Sequence, residues 1–274
     1  MSQNNTATRI IVAITGIPLI LFICWYGKIL FLLFASGIGL AAFYEFSGMT
    51  RLKNNFTSVT AGYASVVLLL FEAYTQFIDF KILIIIISLL VLTLELFRNK
   101  QSAINNAGST LLGIFYIGLF SSTLVLIREY YNYSEFLYQR GGYIIISVLI
   151  TIWICDSAAF FLGTALGKHK LFPRVSPHKS WEGAIAGFIF SLITMVVLRE
   201  LLIDFIEIKD ALILGIIVGV FGQMGDLVES LLKRDVNIKD SSAILPGHGG
   251  IFDRFDSFLF SSPFVYLYMF FFFK

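Results

Sequence analysis

Charge is scarce in this 274-residue sequence. Asp, Glu, Lys and Arg together supply 14% of it, where a soluble domain carries about 25%. Hydrophobic residues fill 57%, and mean hydropathy is +0.84. That balance excludes a disordered chain. It also excludes a water-soluble globule, which has too much surface to cover with so few polar groups. Cysteine is nearly absent. The two present, Cys24 and Cys155, fall in apolar stretches, where a free thiol packs as a small hydrophobe. They make no disulfide scaffold and no zinc spacing. The formal net charge of +2 gives no reason to expect a nucleic-acid partner. No Gly-x-x-x-x-Gly-Lys-Ser/Thr loop occurs, which removes a P-loop ATPase, and neither a Gly-x-Ser-x-Gly elbow nor a His-x-Glu zinc pattern is found.

What is present is long apolar runs, and these place the chain in a bilayer. Only helices or a closed barrel satisfy their backbone polar groups there. Barrel strands alternate over about ten residues, whereas these runs are unbroken. Nine are read, at residues 10–26, 29–44, 56–71, 82–94, 108–127, 143–166, 184–198, 211–228 and 258–273. The fold expected is an all-α polytopic bundle of about nine transmembrane helices with a polar cavity facing the cytoplasm. Several runs are short of the roughly 17–25 residues of a span and must borrow from their flanks. The run 82–94 is the weakest, and a re-entrant segment is its alternative. The first run follows Arg9 like a signal sequence, but eight more runs follow, so an anchor is the better reading.

Basic residues set the orientation. With a cytoplasmic N-terminus, the inner segments hold 13 Lys and Arg and the outer ones seven, which favours N-terminus in and C-terminus out. Residues 1–140 read as a helical scaffold with short loops, and residues 141–274 as the catalytic half of one membrane unit. In the scaffold, Glu45 and Glu95 sit near helix ends, where a solvated or snorkelling role suffices.

The second half concentrates the charge. Residues 226–256 hold ten of the 38 charged side chains. All three histidines, His169, His178 and His248, fall there or in 156–182. Two carboxylates lie inside runs, Asp156 in the sixth and Asp226 in the eighth. A charge at such depth is costly unless paired, hydrated or metal-bound, so each is a functional group or a structural helix–helix partner. Asp226, Glu229, Ser230 and Lys233 are spaced i, i+3, i+4, i+7 and share a helix face. Leu227, Val228, Leu231 and Leu232 make the other face apolar.

Next comes Ile-Leu-Pro-Gly-His-Gly-Gly-Ile-Phe-Asp-Arg-Phe-Asp, residues 244–256. Pro246 stops any helix, and Gly247, Gly249 and Gly250 leave amides uncovered. A helix starting just after Gly250 offers amides and a positive dipole end to phosphate. Asp253 and Asp256 share a face of it, with Arg254 directed elsewhere. Carboxylates beside phosphate-binding amides call for a cation, and Mg²⁺ is the usual one. Asp253 as a mere cap of the helix dipole is the alternative. Upstream, Ser176-Pro177 is read as an N-cap and first helical residue, with Lys179 and Glu182 on one face of the helix that follows. Lys179, tied to the Ser-Pro turn, is the better candidate for a phosphate contact. Lys168 and Lys170 read as basic residues at the membrane surface.

The segment Ser230–Asp256 resembles the signature of phosphatidate cytidylyltransferases, the CDP-diacylglycerol synthases, with no departure across its 27 positions. It reads Ser-Leu-Leu-Lys-Arg, four residues, then Lys-Asp-Ser-Ser-Ala-Ile-Leu-Pro-Gly-His-Gly-Gly-Ile-Phe-Asp-Arg-Phe-Asp. The segments at 156–163, 176–183 and 225–230 are also similar to that family, except that His178 stands where a Lys is expected. The resemblance is strong over roughly residues 150–265. It implies that phosphatidic acid attacks the α-phosphorus of CTP, giving CDP-diacylglycerol and pyrophosphate. It implies a homodimer in the bacterial inner (plasma) membrane, with the active site facing the cytoplasm and Mg²⁺ bound, a second cation being an open alternative.

Carried onto this chain, Asp226 and Asp253 are the principal metal ligands, with Asp256 close by and Asp156 and Glu229 behind them. Lys233 and Arg254 join Asp226 and Asp253 as catalytic residues. Lys179, Glu182, Ser230, Arg234, Lys239, Asp240, His248, Gly249 and Gly250 form the substrate set, His248 as a phosphate contact or loop organiser. Phosphatidate is already anionic near neutral pH, so no strong base is needed. Two rival readings are a CTP-dependent polyprenol or lipid kinase and an ion-coupled transporter. The inverted repeats of a transporter are missing.

Overall fold

The computed structural model describes residues 3–242, 244 and 249–273, with side chains from residue 14 onward. Among them are nine helices. They are α1 (Gln3–Tyr26), α2 (Lys28–Arg51), α3 (Val59–Thr75), α4 (Phe80–Leu96), α5 (Ala103–Arg128), α6 (Gln139–Leu166), α7 (Trp181–Leu201), α8 (Ile208–Asp235) and α9 (Phe252–Phe272). Each apolar run of the sequence coincides with one of them, with 56–71 beginning three residues before α3 and 258–273 ending one residue after α9. Six of the nine, α2 and α5 to α9, are long and apolar enough to cross a membrane. The architecture is that of a polytopic membrane bundle.

The weak run at 82–94 lies within one unbroken helix, α4. Asp79 starts it by accepting a hydrogen bond from the Lys81 amide at 2.8 Å. Its 17 residues rise about 25 Å. One stripe of α4, Leu83, Ile87, Val91 and Glu95, is buried. The opposite stripe, Ile82, Ile85, Leu89 and Leu92, is exposed. An apolar stripe of that length is intolerable in water and natural against lipid. Ser58, Ser102 and Ser180 cap α3, α5 and α7 in the same way as Asp79 caps α4.

The chain forms two compact units. The first comprises Met1–Leu126 and Asp235–Phe255. Its core contains Phe31, Phe43, Leu69, Leu83, Ile87, Ile117 and Phe252. Glu95 is buried rather than solvated. It accepts from Asn106 Nδ2 at 2.7 Å and from Arg98 Nη1 at 2.9 Å, and Arg98 also donates to the Phe56 carbonyl at 2.8 Å. This network closes the turn between α2 and α3, whose backbone would otherwise be left unsatisfied.

The second unit comprises Ile127–Arg234 and Asp256–Lys274. Its core contains Ile144, Ile145, Val148, Met195, Leu214, Val218 and Leu259. Between α6 and α7 lies an antiparallel hairpin, β1 (Lys170–Phe172) and β2 (Ser176–Ser180), with Lys170 opposite Ser180 and Phe172 opposite Ser176. This corrects the sequence expectation of a helix starting at Ser176-Pro177. Those residues are extended, and the cap is Ser180, whose Oγ accepts from the Gly183 amide at 3.2 Å. The ladder with β1 outcompetes the short Ser-Pro signal, so Lys179 lies on a strand and not on the helix. A π-helical stretch, Val218–Gly222, interrupts α8 one turn before Asp226, a local feature frequent near functional sites.

Candidate active site

In the second unit three carboxylates converge. Asp226 and Glu229 on α8 and Asp256 on α9 offer oxygens that all lie within 4.8 Å of one another. The spacing i, i+3 brings the first two together. The approach of the third depends on Gly225. A Cβ there would stand 2.7 Å from the Asp256 carbonyl oxygen and 3.1 Å from Ser257 Cα, so only glycine lets α8 come this close to α9. Stacked Phe221 and Phe264 rings, 3.6 Å between centroids, hold the same contact further along.

Two lysines face the cluster. Lys179 Nζ lies 2.5 Å from Asp226 Oδ2, and Lys233 Nζ lies 2.7 Å from Glu229 Oε2. Ser230 Oγ donates to Asp226 Oδ1 at 3.3 Å. Glu229, Ser230 and Lys233 are buried, while Leu231 on the opposite face is exposed. The polar stripe therefore points into the bundle, as its spacing predicts. Asp156 on α6 joins the group electrostatically, interacting with Asp226, Asp256 and Lys179.

The hairpin aims Lys179. Glu182, in the first turn of α7, accepts from the His169 amide at 3.2 Å and meets His169 Nδ1 at 2.6 Å. The Trp181 amide donates to the His169 carbonyl at 2.9 Å. Arg234 Nε donates to the Val175 carbonyl at 3.3 Å. Glu182 and Arg234 thus brace β1 and β2.

The donor set suits a hard cation. It contains carboxylate oxygens and no thiolate or imidazole, which matches Mg²⁺ and not zinc. Glu229, placed behind the ligands by the sequence, stands in this cluster as a full member. Its signal was the shared helix face with Asp226.

In the first unit, Asp253 and Glu45 organise the start of α9. Asp253 Oδ2 accepts from the amides of Gly250 at 2.8 Å and Ser241 at 3.1 Å. Glu45 accepts from the amides of Ile251 at 2.9 Å and Phe252 at 2.8 Å. The helix start after Gly250 is as expected, but its amides at Gly250, Ile251 and Phe252 are not left open for phosphate. Two carboxylates already engage them, because buried amides must find acceptors. Gly249 adopts φ +80°, which explains glycine there. Lys239, Asp240 and Arg254 are exposed. Pro246, Gly247 and His248 lie outside the described residues.

Glu45 is the residue that sequence reasoning missed. It is buried, not solvated, and no local pattern around it announces partners some two hundred positions away.

Residues 7–272 match the cytidylyltransferase family. The chain is 34% identical over 268 residues to a phosphatidate cytidylyltransferase of Bacillus subtilis (strain 168), covering 94% of this chain and 95% of the relative. It is 35% identical over 267 residues to one of Staphylococcus aureus (strain COL), with the same coverage. A third, from Staphylococcus haemolyticus, is 34% identical over 264 residues, again with 94% and 95% covered.

Proposed function

This chain belongs to the cytidylyltransferase family, and we propose that its Asp226–Glu229–Asp256 cluster is the cation-binding centre of a CDP-diacylglycerol synthase. The chain is an integral membrane nucleotidyltransferase that makes CDP-diacylglycerol from CTP and phosphatidic acid. Similarity over nearly the whole of both chains carries this reading.

The chemistry is a displacement at phosphorus. A phosphatidate oxygen forms a bond to the α-phosphorus of CTP, the α–β phosphoanhydride bond breaks, and pyrophosphate leaves with the electron pair. Such transfers depend on positioning and charge neutralisation more than on covalent help. Phosphatidate arrives as an anion, so no residue has to remove a proton. A divalent cation, when bound, would neutralise charge on the transferred and leaving oxygens.

The protein's own residues do the holding. Asp226, Glu229 and Asp256 supply the carboxylates, and Asp253 is added as a ligand on the family's sequence pattern alone. Lys233 keeps Glu229 in place. Lys179 is shared between Asp226 and an incoming phosphate, and Arg254, Arg234 and Lys239 offset the charge of CTP and pyrophosphate. Arg254 suits a bidentate phosphate contact. Ser230, Asp240, His248 and Gly249 complete the assigned substrate contacts, Gly250 serves by shape because Asp253 holds its amide, and Glu182 acts by bracing the hairpin. The acyl chains stay in the bilayer. We assign the site to the cytoplasmic face of a bacterial plasma membrane and the enzyme to a homodimer.

The test is CDP-diacylglycerol formation by purified protein given CTP, phosphatidate and Mg²⁺. Label from α-³²P-CTP is expected in the lipid product, and label from γ-³²P-CTP only in pyrophosphate. EDTA abolishes the reaction and excess Mg²⁺ restores it. Lipid labelled from γ-³²P-CTP would identify a kinase and overturn the assignment.

A further inference from the structure

The first unit contains a buried carboxylate that the reaction does not use directly. Glu45, on α2, is 2% exposed. Each of its oxygens receives one hydroxyl and one amide. Oε1 accepts from Ser242 Oγ at 2.6 Å and from the Ile251 amide at 2.9 Å. Oε2 accepts from Ser241 Oγ at 2.9 Å and from the Phe252 amide at 2.8 Å. A carboxylate is acceptor-only, so four converging donors match it fully, and no amide or hydroxyl side chain would.

The fit is steric as well as polar. A Cβ on Gly250 would run into both Ser241 Oγ and the Glu45 carboxylate. Gly250 is therefore glycine because Glu45 packs on its Cα. Ser241 is held twice, through its hydroxyl by Glu45 and through its amide by Asp253. Glu45 and Asp253 together engage three successive amides at the start of α9, those of Gly250, Ile251 and Phe252. Without Glu45, the amides of Ile251 and Phe252 lose their acceptor, and Ser241, whose own amide holds Asp253, loses one of its two anchors.

We propose that Glu45 is a positioning residue for nucleotidyl transfer: from a helix of the N-terminal region it fixes Ser241, Ser242 and the first turn of α9, and thereby sets Asp253. The inference rests on the functional reading above. Its logic is that of a second layer of contacts orienting those that do the chemistry, where losses of 10- to 100-fold are typical.

Glu45→Gln keeps shape and volume but presents an NH₂ where two donors point. It is expected to fold and to lose about 10- to 100-fold in kcat, with the KM for CTP changed far less. Ser242→Ala is expected to lower kcat several-fold in the wild type and to add nothing in Glu45→Gln, because the two share one contact. Glu95→Gln alters another buried carboxylate of the same unit and serves as the control. It is expected to lower Tm while kcat per folded protein is retained.

Wild-type kcat in Glu45→Gln, additive losses in the double variant, or activity that falls only in step with Tm as in the control would each overturn the proposal. Hydrogen exchange over residues 249–255 supplies a readout without turnover. It accelerates in Glu45→Gln if the residue holds this segment, and unchanged exchange would overturn the proposal. A wild-type protein that makes no CDP-diacylglycerol would instead sink the functional reading, leaving the hold of Glu45 decided by exchange.

Discussion

Gly225→Ala isolates the spacing of α8 and α9 from the chemistry of the carboxylates. The added Cβ would lie 2.7 Å from the Asp256 carbonyl oxygen and from Phe260 Cβ, and 3.1 Å from Ser257 Cα. Two of these three neighbours are backbone atoms and cannot rotate away. Restoring ordinary contact at about 3.5 Å requires the helices to part by roughly 0.5–1 Å. Overpacking of this kind costs about 1–3 kcal/mol, of which replacing a helical glycine by alanine returns up to about 1 kcal/mol.

At about 2–4 °C per kcal/mol, Tm therefore falls by only a few degrees. The site suffers more. Metal ligands tolerate roughly 0.2 Å, and a misplacement near 1 Å costs about 100-fold in rate. Purified Gly225→Ala is expected to lose about 10- to 100-fold in kcat, with half-saturating Mg²⁺ raised about tenfold. Gly37→Ala, where a Cβ meets nothing within 4 Å, is expected to behave as wild type. If folded Gly225→Ala kept both kcat and half-saturating Mg²⁺ within about twofold, tight approach of α8 and α9 would not be what builds the cluster.

Other variants separate the roles of the charged groups. Asp226→Asn and Asp256→Asn are each expected to lower kcat/KM by more than about 100-fold and to weaken Mg²⁺ activation; activity with unchanged metal dependence would remove that residue from the cation site. Lys179→Met frees Asp226 from an ammonium 2.5 Å away, so half-saturating Mg²⁺ should fall while the KM for CTP rises about tenfold or more. A CTP titration showing an unchanged KM would leave Lys179 with Asp226 alone. Arg254→Lys keeps charge but loses bidentate geometry, and kcat/KM should drop; full activity would end its phosphate assignment. Ser180→Ala removes the α7 cap and should lower stability by about 1 kcal/mol, read as a modest Tm loss with kcat nearly intact.

Span positions were legible because a bilayer imposes one rule over many residues at once, and each run from 10–26 to 258–273 became a helix. The face of α8 was legible for a similar reason: Asp226, Glu229, Ser230 and Lys233 are neighbours in sequence and on the helix alike. Short signals fared worse. Ser176-Pro177 fits a helix start, yet pairing with Lys170–Phe172 makes it a strand, and pairing is non-local. Glu45 was illegible for the same reason carried further. Its partners Ser241 and Ser242 lie 196 and 197 positions away, and nothing in the surrounding Ala-Ala-Phe-Tyr-Glu-Phe distinguishes a buried acceptor from a glutamate near a membrane surface. The open amides expected after Gly250 failed through that same partner.

The clustering of carboxylates in the second unit supports the proposed cation site independently of any likeness in sequence. Asp226, Glu229 and Asp256 cluster, Asp156 interacts with Asp226 and Asp256, and Lys179 and Lys233 pair with Asp226 and Glu229. At 4.8 Å, the outer limit among the oxygens of Asp226, Glu229 and Asp256, two ionised carboxylates repel by about 3.5 kcal/mol at an effective dielectric of 20. A chain in which only 14% of residues are charged has no need to accumulate such repulsion for the sake of its fold, since an apolar residue at any of these positions would suit a membrane bundle better. Mutual repulsion of carboxylates held this close disfavours an empty cluster, and a hard cation bound there, as proposed above, would relieve it.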